Sequence, residues 1–69
     1  DEANMVWRHV QKIIGGLDVE IVWKCFSKSH CEYVELLVNG KREQGMYAFS
    51  HAAALNCFNQ YLESVEDLM

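Results

Sequence analysis

The sequence has no proline, no lysine or arginine after Arg42, and no apolar run near the roughly 20 residues that a membrane-crossing helix requires. Each absence removes a class of protein. Without the long apolar run, and without a basic-then-apolar N-terminus, neither a membrane span nor a signal peptide is expected. The cysteines (Cys25, Cys31 and Cys57) are an odd number, which suits a disulfide framework poorly. They point instead to a reduced, intracellular protein, nuclear or cytoplasmic. With no proline, no low-complexity segment and 51% apolar residues, the composition is that of a globular chain, not a disordered one. Its 69 residues suffice for one domain, spanning 1–69, near the lower size limit for an unstapled core. The chain starts at Asp1 without an initiator methionine and stops at Met69, so a domain excised from a longer protein is expected.

The missing basic residues divide the chain. Residues 1–42 carry Arg8, Lys12, Lys24, Lys28, Lys41 and Arg42 against Asp1, Glu2, Asp18, Glu20, Glu32 and Glu35, a balance of zero. Residues 43–69 carry Glu43, Glu63, Glu66 and Asp67 unopposed, which accounts for the whole net charge of −4. A polyanion is bound by cations that displace its counterions. An acidic C-terminal third therefore argues against a large nucleic-acid footprint there.

Five elements are expected. Val6, Val10, Ile13 and Leu17 share one face at helical spacing, with Trp7 and Ile14 beside it, so residues 2–14 are predicted to form a helix. Gly15-Gly16 would stop it in a left-handed turn. Asp18 to Phe26 is rich in β-branched and aromatic residues and reads as a strand. Ser27 to His30 reads as a polar turn, and a second strand is expected in which Val34, Leu36 and Val38 alternate against Tyr33, Glu35 and Leu37. Asn39-Gly40 is a strong hairpin signal. A third strand follows from Lys41, with Gly45 as a candidate bulge. Ser50 is a good N-cap, and Ala54, Cys57, Phe58, Tyr61, Leu62 and Val65 form the buried stripe of a helix. The expected fold is α+β in the order α-β-β-β-α, a three-stranded antiparallel sheet with two helices packed on one face.

This order, together with His30 in the first inter-strand turn, "VELLVNGK" (Val34 to Lys41) leading into the hairpin, and the Ser50-capped helix, resembles the double-stranded RNA-binding domain family. The resemblance covers about Met5 to Val65. It implies a domain spanning about 16 base pairs, with minor-groove contacts from the first helix and the strand turn. It also implies phosphate contacts from lysines at the start of the last helix. His51, Ala52 and Leu55 stand where those lysines would be, and the Gly-Pro that precedes the family's histidine is missing. The resemblance thus implies a degenerate member that has lost duplex-RNA binding and serves an RNA-associated protein as a dimerisation or docking module. The alternative is weak duplex-RNA binding through Arg8, Lys12, Lys24, Lys28 and His30.

Apolar surplus points toward a protein partner. Val22, Phe26 and Leu37 take the strand parity opposite to the core, and Met46 and Tyr47 crowd the third strand. These five are the expected contact residues, for a protein partner or a second copy. Other chemistry has less support. His30 reads first as a locally bonded turn residue, and His51 as a solvated one. Cys25, His30, Cys31, His51 and Cys57 are zinc-ligand types, but no close Cys-x-x-Cys pair is present. The carboxylates form no evident pair, and so small a domain has little room for a cleft. No metal, no cofactor and no enzymatic activity are expected.

Overall fold

The structure, a computed structural model, describes residues 4–26 and 31–67. Among the described residues, four strands precede one helix: β1 (Asn4–Ile14), β2 (Leu17–Phe26), β3 (Cys31–Val38), β4 (Lys41–Ala48) and α1 (His51–Asp67). The strands form one antiparallel sheet in the order β1-β2-β3-β4.

The expected first helix is thus a strand, and the α-β-β-β-α order with a three-stranded sheet and two helices does not hold. Two local features explain the difference. Gly15 and Gly16 both have positive φ, 57° and 83°. That is the requirement of a two-residue type I′ hairpin, whose twist matches the strands it joins. Ile14 accordingly pairs with Leu17 across the turn. Second, the register shifts between Val6 and Arg8, which makes Trp7 a bulge residue. The extra residue changes the phase of alternation, so Val6 faces the side opposite to Val10. A period of two with one insertion left apolar residues at spacings that mimic a helix. The β-branched content of the segment (Val6, Val10, Ile13, Ile14) suits the strand better.

The other three strands and the last helix fall where their patterns place them. Asn39 and Gly40 also have positive φ, 53° and 80°, and close the β3–β4 hairpin. Asn39 further ties this turn to the neighbouring hairpin: its N–H donates to the Asp18 carbonyl at 2.7 Å, and its Oδ1 accepts from the Asp18 N–H at 3.0 Å. The β4 irregularity is not at Gly45, which pairs regularly with Glu35. It lies at Glu43, between the Leu36–Gln44 and Leu37–Arg42 pairs. Ser50 caps α1 as expected, with its Oγ accepting the Ala53 N–H at 3.1 Å.

The core occupies one face of the sheet. Val19, Ile21 and Trp23 of β2, and Val34 and Leu36 of β3, pack against Ala54, Cys57, Phe58, Tyr61 and Val65 of α1. Full burial of the valine, isoleucine, leucine and phenylalanine side chains among them contributes about 1.5–3 kcal/mol each. The helix lies across β2, β3 and β4. β1 extends the sheet beyond it and reaches it through side chains. The Arg8 guanidinium sits 4.7 Å from the Phe58 ring centroid, and Trp7 meets His51 edge-on with centroids 5.4 Å apart.

Candidate protein-interaction edge

β4 is a sheet edge, and every residue from Lys41 to Tyr47 is exposed. A terminal strand carries backbone N–H and C=O groups that no neighbour in the sheet satisfies, so it is a template for another strand. Its last turn concentrates apolar surface. Met46 is 38% exposed, Tyr47 62% and Phe49 81%. Phe49 directly precedes the Ser50 cap, the position from which an apolar residue often packs back onto the first turn of a helix. Here it projects away instead. That position in the sequence, a large aromatic beside an N-cap, was the available signal for it; burial alone revealed that it is free.

Of the five residues expected at an interface, Tyr47 and Met46 are exposed on β4, but on opposite faces. Tyr47 pairs with Tyr33 on the face away from the helix, and Met46 pairs with Val34 on the helix side. Val22, Phe26 and Leu37 do lie on the face away from the helix, but Val22 is buried and the other two are half-buried. Polar side chains cover that face. Lys24 pairs with Glu35 at 3.2 Å, His9 meets Glu20 and Gln11 donates to Asp18, each at 2.8 Å, and Arg42 donates to the Tyr33 hydroxyl at 2.7 Å. The face is therefore a laced polar surface with apolar groups beneath, not an open apolar plate.

The residues of the alternative RNA set do not form one surface. Arg8 and Lys12 pair with Trp23 and Val19, so they lie on the helix side of the sheet. Lys24 lies on the other side, in its pair with Glu35. Lys28 and His30 are outside the described residues. The first helix assigned to the minor groove is strand β1.

Beside the N-terminus of α1 lies a cluster that the sequence reading did not assemble. The Trp23 indole N–H donates to Glu32 Oε1 at 2.6 Å, and the His51 Nδ1 lies 3.4 Å from the same oxygen. The His51 ring sits between Trp7 and Trp23, at centroid distances of 5.4 and 4.9 Å. Trp23 is 1% exposed, so its N–H needs an acceptor, and Glu32 supplies it. No sequence motif announces this, because the four elements β1, β2, β3 and α1 meet only in the tertiary fold.

All three cysteines are free, with Cys31 and Cys57 buried. Burial first, then the Glu32 carboxylate beside it, pushes the Cys25 thiol up from its ordinary value, away from the thiolate form that a nucleophile or metal ligand needs. Burial also pushes the Tyr61 hydroxyl up to about 12, with Cys57 adding to the effect. Among the described residues, no group of three or more His, Cys, Asp or Glu side chains converges to hold a metal ion. No helix among them is long and apolar enough to cross a membrane.

The chain matches no family model, no curated protein and no solved structure.

Proposed function

We propose that this domain is a non-catalytic protein-binding module that accepts an extended partner segment along the free edge of β4. The observation that carries the reading is the coincidence of a strand edge, unpaired among the described residues, with Met46, Tyr47 and Phe49 exposed at its end. Strand addition of this kind takes affinity from main-chain hydrogen bonds and specificity from the alternating side chains. Aromatic and methionine side chains are the types that interfaces enrich. Three free thiols suit a reducing compartment.

Duplex RNA is a poorer occupant. Arg8 and Lys12 stand on one side of the sheet and Lys24 on the other. The helix carries no basic residue in its last turn and only acidic charges overall. A duplex of about 20 base pairs, titrated at low salt, is expected to show no tight, steeply salt-dependent binding.

The direct test uses peptides selected for binding from a random seven-residue library, mapped on the isotopically labelled domain by amide chemical shifts. The expected footprint is Lys41 to Phe49, with slowed amide exchange on β4. A footprint on β1 or on the outer face of α1 overturns the reading.

A further inference from the structure

The edge proposed above has a register that fits itself, and this inference rests on that reading of β4. We infer that the occupant of β4 is the β4 strand of a second copy, paired antiparallel about a two-fold axis at Gly45.

Because Arg42 and Glu43 together oppose Leu37, β4 presents seven places: Lys41, Arg42 with Glu43, Gln44, Gly45, Met46, Tyr47 and Ala48. Gly45 is the middle one. An axis there sets Gln44 against the partner's Met46, Arg42 and Glu43 against the partner's Tyr47, and Lys41 against the partner's Ala48. Antiparallel partners must share a face, and these do. Lys41, Gln44, Met46 and Ala48 belong to the helix side, through pairs with Val38, Leu36, Val34 and Glu32; Arg42, Gly45 and Tyr47 belong to the other.

The chemistry at each place is compatible. No like charges stand directly opposite one another. Arg42, already held over the sheet by the Tyr33 hydroxyl, comes against an exposed tyrosine ring that accepts a cation. At the axis, both strands present glycine, leaving the space above it to the two Tyr33 rings. Past the ladder, the 81%-exposed Phe49 in the bend after β4 comes to the end of the seam where the partner's β3–β4 turn lies.

The other edge fits less well. Within β1 the charged residues are Arg8 and Lys12, with His9 and no acidic residue. Pairing two copies of β1 gathers four cations at one seam with no carboxylate among them, whereas two β4 strands bring a Glu43 each beside their Lys41 and Arg42. Pairing β1 with the partner's β4 is a head-to-tail contact that propagates without closing. Only the β4 pair both closes and avoids like charges. Two strands of this length bury an area at the low end for specific complexes, under about 1,200 Å², so the dimer is concentration-dependent.

The test is charge patterning at two exposed positions that face each other only in this register. Sedimentation equilibrium over a concentration series should show the wild type rising from 8.0 kDa toward twice that mass. Gln44→Lys with Met46→Lys sets lysine against lysine twice and should weaken association at least tenfold. Gln44→Lys with Met46→Glu sets lysine against glutamate twice and should restore it, more strongly at low salt. Circular dichroism checks that both variants are folded. For the wild type, an isotope-filtered nuclear Overhauser experiment on a mixed labelled sample should connect the Met46 methyl to Gln44 of the other copy. Equal association of both variants overturns the register. A wild type that stays monomeric throughout overturns self-pairing, and if selected peptides still footprint on β4, the strand-binding reading survives it. A dimer whose contacts map to β1 overturns both.

Discussion

Tyr33 lies flat across Gly45. A Cβ built at position 45 would collide with the Tyr33 hydroxyl and come within 2.9 Å of its Cζ. The ring cannot easily move aside, because Arg42 donates to its hydroxyl and Tyr47 packs against it at a centroid distance of 4.7 Å. Glycine is required here by close approach and not by backbone angle, since Gly45 is absent from the positive-φ residues.

Gly45→Ala is therefore expected to destabilise the domain by about 1–3 kcal/mol, the usual range for forcing extra atoms into a packed site. Combining it with Tyr33→Ala should cost less than the sum of the two, because the collision disappears. Urea unfolding of the four proteins measures the cycle. Additive costs would mean that the ring is not what excludes the side chain.

Glu32 supplies the acceptor for the buried Trp23 indole at 2.6 Å. Glu32→Ala leaves that donor unpaired and is expected to cost about 1–3 kcal/mol. Glu32→Gln keeps an acceptor of the same reach and should cost less than half as much. The midpoints of urea unfolding, followed by tryptophan fluorescence, separate the two. Equal losses would assign the role of Glu32 to its charge.

Gly15 and Gly16 test the strand assignment of β1. Gly15→Asn suits a type I′ turn and is expected to be tolerated, whereas Gly15→Val puts a β-branched residue at positive φ. The valine variant should lose about 1–2 kcal/mol. A helix over residues 2–14 would end in the same left-handed conformation and rank asparagine above valine as well, so the deciding readout is far-ultraviolet circular dichroism of the wild type, which would then show more than one helix.

The helix start lends itself to a cleaner measurement. Ser50→Ala removes the Oγ that accepts the Ala53 N–H and is expected to cost about 1 kcal/mol. Ser50→Asp should match or exceed the serine, since the first turn of α1 carries no acidic residue to meet the positive end of the helix dipole. Thermal melts at neutral pH give the order Asp, Ser, Ala. Any order with alanine above serine counts against the cap.

Stability should fall at alkaline pH. In the folded state the Tyr61 hydroxyl is pushed up to about 12 from an ordinary 10.0, chiefly by burial. Between those values the unfolded chain releases the proton while the folded chain keeps it, so folding binds protons and weakens as pH rises. The contribution is complete below about 10 and lost through the window up to about 12. Tyr61→Phe removes the titrating group and should flatten this part of the profile.

Much of the fold was legible in the sequence. Strong β-branched alternation marked β2 and β3, Asn39-Gly40 fixed the hairpin after them, and the Ser50 cap with its three- and four-residue apolar steps placed α1. These signals are local: each depends on a turn's dihedral requirement, a cap or one face of one element. β1 was misread because Trp7 breaks the two-residue period, and because Gly-Gly serves a helix end and a type I′ turn equally well. The resemblance to an α-β-β-β-α family depended on that misreading for its first helix.

The candidate site was legible only in part. Met46 and Tyr47 on the last strand were identifiable as surplus apolar residues, but of the three expected on the open sheet face Val22 is buried and Phe26 and Leu37 are half-buried. Residue types, charge division and turn chemistry are properties of the chain itself, and they determined three strands, one helix and an acidic C-terminal third. Which strand stands at the edge, which apolar residues stay uncovered, and which carboxylate meets the Trp23 indole depend on register between distant segments. Burial is decided by neighbours that sequence distance does not reveal, so only the tertiary structure made β4 and Phe49 the exposed edge of this protein.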